Sequence, residues 1–95
     1  MKLDERASAR ILEAVRRHGA RFDLSVAEKH ILFLAATGVP RSEIAAARGV
    51  APSTVKKQVQ LLLSKVQGRS LEQAAIEVLV ELVGRELGEV RDARG

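Results

Sequence analysis

The chain has 95 residues, room for one domain with a modest core and a binding surface, but little for an enclosed active-site cavity or a small-molecule ligand. It has no cysteine, which excludes disulfides, thiolate zinc sites and cysteine nucleophiles and fits a reducing cytosol. Charge is uneven: residues 1–40 carry seven Lys/Arg against five Asp/Glu (+2), residues 41–70 six against Glu43 alone (+5), and residues 71–95 three against six (−3). A positive middle third suits a polyanion as partner.

No stretch approaches the roughly 18 apolar residues of a membrane span, and the N-terminus alternates charged and apolar residues, unlike a secretion signal. The expectation is a cytoplasmic, bacterial protein with no membrane partner. Phe22 and Phe33 are the only aromatic residues, so Leu, Ile, Val and Ala must build the core. Leu and Ala favour helix, and the fold class expected is all-α: a compact domain of about five helices.

Gly19, Gly38, Gly49 and Gly68 each follow a segment with helical apolar spacing and mark expected helix ends. The first helix is expected from about Asp4 to His18, with Ala7, Ile11, Ala14 and Val15 on one face and a charge order that complements the helix dipole. The second runs from about Val26 to Thr37, opened by the capping box Ser25/Glu28, with Ile31, Leu34 and Ala35 facing inward. Phe33 falls off that stripe and implies a second contact. The third is short, about Arg41 to Arg48, with Pro40 in its first turn and Ile44, Ala45 and Ala47 small enough for close packing. The fourth starts at Pro52 and runs to about Gln67, with Val55, Val59, Leu62 and Val66 on one stripe.

The fifth is expected from about Leu71 to Leu87, opened by Ser70/Gln73. It carries two apolar stripes, Leu71/Ala75/Val78/Leu82 and Ile76/Val80/Val83/Leu87, and a helix apolar on two sides must bury both. The second stripe is covered either by the first helix or by a second copy of the chain, which makes Ile76, Val80, Val83 and Leu87 a candidate homodimer interface. Gly84 weakens the helix interior by about 1 kcal/mol relative to Ala. The expected organisation is an N-terminal helix over residues 1–23, packing on the module or at a dimer interface, a helical module over 24–88, and a disordered tail over 89–95.

The third and fourth helices are joined by Gly49, Val50 and Ala51 alone. Two helices linked by three or four residues including Gly form a helix-turn-helix, whose second helix enters the DNA major groove with its N-terminal part. The buried stripe of the fourth helix leaves Ser53, Lys56, Lys57, Gln60 and Ser64 outward. Lys can reach guanine O6 and N7, Gln can pair with adenine, and Ser53 and Thr54 lie where hydroxyls and free N–H groups suit a phosphate.

Leu24-Ser25, Glu28, Ile31-Leu32 and Leu34 resemble the opening helix of the LuxR/GerE-type helix-turn-helix domain. Gly38, Glu43-Ile44-Ala45, Gly49-Val50 and Thr54-Val55-Lys56 continue the pattern in register, and Val59, Leu62, Lys65, Ser70, Gln73-Ala74-Ala75 and Leu79 complete it. The likeness covers residues 24–79 without gaps. It implies a tetrahelical DNA-binding module with the N-terminal helix added, transcription control, and dimerisation through the last helix. By that resemblance Lys56, Lys57 and Gln60 stand where the family reads bases, Thr54 and Lys56 where it touches phosphate, and Arg41 where a backbone contact is plausible. The sequence departs at Gln58, often His in the family, and at Pro40 and Ala51, usually Ser or Thr caps. Leu61 stands at a position usually polar, where it would meet a thymine methyl or a protein partner. Family members usually carry a sensor or receiver domain ahead of this module; about twenty-three residues precede Leu24 here, too few to hold one.

Three function classes are weighed. The first is a sequence-specific DNA-binding transcriptional regulator acting on double-stranded DNA as a homodimer. The second is a protein-binding module that keeps the fold and antagonises or partners a larger regulator. The third is a promoter-reading module like that of a sigma factor, against which the absence of core-binding segments argues. An enzyme is not expected: Ser25, Ser53 and Ser70 are explained by capping, and Glu13, Glu77 and Glu81 by solvated helix faces. His18, read as a helix C-terminal charge, and His30, read as exposed, lack further ligands for a metal, so no cofactor is expected.

Overall fold

The computed structural model describes residues 4–94; residues 1–3 of the expected N-terminal segment and Gly95 of the expected tail lie outside them. Among these residues the chain is all-α, with helices α1 (Glu5–Phe22), α2 (Val26–Ala36), α3 (Arg41–Arg48), α4 (Pro52–Val66) and α5 (Leu71–Arg94). The five elements appear in the order the sequence predicts. None of the helices is long and apolar enough to cross a membrane.

Asp4 caps α1 by accepting the Ala7 N–H at 2.8 Å, and Ile11 and Val15 are buried as the spacing requires. The helix does not stop at Gly19. It continues to Phe22 and ends at Asp23, in the left-handed region with φ 54°, a conformation Asp tolerates better than most residues. Gly19 serves close approach instead: a Cβ there would lie 2.5 Å from Lys29 Cδ, so the bare backbone makes room for the Lys29 side chain of α2.

The Ser25/Glu28 capping box is complete, with both reciprocal bonds present. α2 packs against all four other helices. A helix surrounded on several sides has no single inward stripe. Ile31, Leu32 and Ala36 are therefore its buried apolar residues, while Leu34 and Ala35, expected on the inner face, are half-buried beside Phe33.

In α3, Ile44 and Ala45 are buried but Ala47 is exposed, because only one face of this eight-residue helix meets the core. Pro40 stands just before the helix rather than in its first turn. The α4 stripe Val55, Val59, Leu62 and Val66 is buried as expected. Its left-handed terminal residue is Gln67 (φ 54°), and Gly68, the expected stop, follows it and donates its N–H to Leu63 O at 3.0 Å.

α5 has 24 residues, about 36 Å at 1.5 Å per residue. Leu71, Ala74, Ala75 and Val78 are buried and Leu82 half-buried, covered by α1 and α2. Its backbone passes through Gly84 and Gly88 without a break and stays helical to Arg94, past the expected end at Leu87 and into the span expected to be disordered.

Candidate nucleic-acid interface

Three residues carry the chain from α3 to α4. Gly49 is left-handed at φ 67° and donates to Ala46 O at 3.2 Å, and Val50 donates to Ala45 O at 3.0 Å. These bonds satisfy carbonyls that a helix end otherwise leaves open. Ala51 is extended and Pro52 opens α4 at its first position; neither α3 nor α4 has a side-chain cap.

Along α4 two stripes share one spacing. Val55, Val59, Leu62 and Val66 are buried; Ser53, Lys57, Gln60 and Ser64 repeat the same interval and are exposed. The second set is displaced by two residues, about 200° around a helix of 3.6 residues per turn, so it lies opposite the core. Lys56 flanks this outer face on one side, and Thr54 and Leu61 on the other; all three are exposed, Leu61 by 57%. Arg41, at the first position of α3, is exposed as well. The candidate residues on α4 thus form one continuous outward surface.

Ion pairs are unevenly distributed over the cations. Four of the arginines of α1 lie near carboxylates: Arg10 with Glu86 (3.1 Å), Arg16 and Arg17 with Glu13, and Arg21 with Glu81 (3.2 Å). In the basic middle third Lys65 reaches Glu28, whereas Arg41, Lys56, Lys57 and Arg69 form no ion pair among the described residues.

Three polar clusters join helices across the fold, and periodicity alone did not anticipate them. Glu28, 3% exposed, accepts from the Ser25 N–H and from Lys65 Nζ, each at 2.8 Å; Lys65 also donates to Asp23 O at 3.1 Å. Burial pushes the Glu28 carboxyl up, but the hydrogen bonds from Lys65 and Ser25 and the Lys65 charge outweigh it and hold it below the usual value of 4.5. The signal was present: Glu28 shares the spacing of Leu24, Ile31 and Leu32, and a carboxylate on an apolar face requires a cation.

His18 is the second case, and a correction. It is 2% exposed, not a solvated helix-end charge. Its Nδ1 lies 3.2 Å from Glu81 Oε2, and Arg21 donates to the same carboxylate. Glu81 is therefore a bridge between α1 and α5, not a solvated face. Nδ1 thus faces both the Glu81 carboxylate and, at 3.5 Å, Arg21 Nη2, while the buried Nε2 has no partner among the described residues. Ile11, Val15, His18 and Phe22 recur at one interval, the sign that His18 belongs to the buried face.

In the third cluster Arg48, half-buried at the end of α3, donates from Nε to His30 Nδ1 at 3.3 Å and from Nη1 to Gln58 Oε1. His30 is exposed as expected. Ile76, Val80, Val83 and Leu87 are 54–64% exposed on the outer side of α5, with α1 packed elsewhere. The first helix does not cover this stripe. Among the described residues no group of three or more His, Asp or Glu side chains is placed to hold a metal ion. Comparison with protein-family models, with curated proteins and with solved structures finds no match to this chain.

Proposed function

We propose that this chain is a sequence-specific DNA-binding transcriptional regulator that inserts α4 into the major groove as a homodimer. The observation that carries the reading is the outer face of α4: Ser53, Lys57, Gln60 and Ser64 lie opposite the core, with Lys56 beside them. The face combines donors and acceptors suited to base edges with cations suited to phosphate, on a helix that follows a three-residue turn. Arg41 supplies a further backbone contact. In the dimer, α5 pairs with its copy through Ile76, Val80, Val83 and Leu87, and the two α4 helices stand about 34–36 Å apart, one turn of DNA.

A second reading is a protein-binding module that partners a larger regulator, and the exposure of Leu61 on the same face favours it. Binding to mixed genomic fragments across a salt series separates the two. The regulator enriches discrete fragments with affinity that falls steeply with salt. Lys56→Ala/Lys57→Ala lowers the slope of log affinity against log salt by about two, if each lysine meets a phosphate. Absence of binding near physiological salt, or a double variant indistinguishable from wild type, refutes the DNA reading.

A further inference from the structure

We infer that Arg48 is the positioning residue of the helix-turn-helix, a clasp that sets the angle of α4 against α3 and α2. The inference rests on the reading of α4 as the DNA-contacting helix. Three observations show why such a clasp is needed. α3 has eight residues and buries two side chains, Ile44 and Ala45, so apolar packing constrains its direction weakly. The turn Gly49-Val50-Ala51 begins with a left-handed glycine, the residue type with the greatest backbone freedom. Both α3 and α4 begin without a side-chain cap, so no capping bond fixes the entry angle of either helix.

Arg48 supplies what these features lack. Its guanidinium is planar and presents donors in fixed directions. One edge meets His30 on α2 and another meets Gln58 on α4, so one rigid group ties three helices at the C-terminal end of α3. Gln58 lies one residue beyond Lys57 and two before Gln60. The buried stripe Val55, Val59, Leu62 and Val66 sets which face of α4 turns inward; pinning Gln58 adds a directional restraint near the middle of the helix, where Lys57 and Gln60 leave it. The bond uses the Gln58 carbonyl oxygen as acceptor. A lysine at 48 would keep the charge but has no planar fork to span both partners.

The test uses the full chain and measures helix orientation from backbone residual dipolar couplings, independently of DNA. Arg48→Lys and Gln58→Leu break the clasp from opposite ends, and both keep the positive charge at 48. Both are expected to change the α3–α4 angle in the same sense, while Gln58→Glu, which keeps the acceptor, retains the wild-type angle. On DNA the two breaking variants are expected to lose about tenfold in the ratio of preferred-site to non-specific affinity, with the salt slope unchanged. Unchanged couplings in Arg48→Lys and Gln58→Leu overturn the clasp even if melting temperature falls. An intact specificity ratio in Gln58→Leu, with a salt slope reduced by about one in Arg48→Met, also overturns it, because Arg48 would then act directly on phosphate. If the wild type binds no DNA, the functional reading fails, and the couplings still decide whether Arg48 orients α4.

Discussion

Replacing Glu28 by glutamine removes a charge and almost nothing else. The amide oxygen can still accept the Ser25 N–H, so the capping box survives, but the bond from Lys65 loses its ionic partner. Hydrogen bonds to charged groups contribute about 1.5–3 kcal/mol, against about 1 kcal/mol for neutral ones. The Lys65 side chain is 36% exposed, so solvent screens the pair and the freed ammonium can turn to water. The net cost expected for Glu28→Gln is about 1 kcal/mol, a fall in melting temperature of about 4–8 °C for a domain of this size. The pH dependence has a definite sign. The folded carboxyl lies below 4.5, so its contribution is complete above the unfolded value and is lost as pH falls through the folded one. Urea unfolding of wild type and Glu28→Gln across the acid range should show a constant gap above about pH 6 that closes below 4.5. A gap that persists at the acid end, or no gap at neutral pH, refutes the assignment of Glu28 as an ionised partner of Lys65.

Two further outcomes follow from α5. Val80 is 64% exposed, so Val80→Glu should leave monomer stability within about 0.5 kcal/mol of wild type and abolish any concentration-dependent dimer in sedimentation equilibrium; a dimer that survives places the interface elsewhere. A Cβ added at Gly84 would meet nothing within 4 Å, and the residue lies inside a continuous helix, so Gly84→Ala should stabilise the chain by about 1 kcal/mol in thermal unfolding. A destabilised variant would mean that this position needs the bare backbone.

Periodicity made the architecture legible because most helices here bury one stripe. The α4 stripe and the inner stripe of α5 could be placed residue by residue, and the outward set Ser53, Lys57, Gln60 and Ser64 followed as their complement. It worked less well for α2, where burial on several sides erases the contrast between faces. Glycine was ambiguous for a physical reason: it permits a left-handed turn, as at Gly49, and it permits close approach, as at Gly19, and spacing alone does not separate the two uses. The polar clusters were the hardest to read. Arg48, His30 and Gln58 come from three helices, and Glu81 is distant in sequence from His18, so no local pattern joins them. What the sequence did offer was a titratable residue on an apolar stripe, at His18 and Glu28, and that signal calls for a partner without saying which.

The arrangement of ion pairs bears on the choice between the two functional readings. Unpaired like charges on one surface repel one another and cost stability, so a fold with no use for them gains by neutralising them. This chain does so for four of the five arginines of α1: Arg10, Arg16, Arg17 and Arg21 have carboxylates within reach, and Arg6 forms no ion pair among the described residues. On the outer face of α4 it does not: Lys65 is paired with Glu28 of α2, but Glu43 is the sole acid between residues 41 and 70, and Lys56 and Lys57 stand adjacent on the sequence with no ion pair among the described residues. A module that had turned the same fold to an apolar protein partner would be expected to keep Leu61 and lose the uncompensated charge. Retaining both favours an external polyanion, with Leu61 set among the cations where a thymine methyl can meet it.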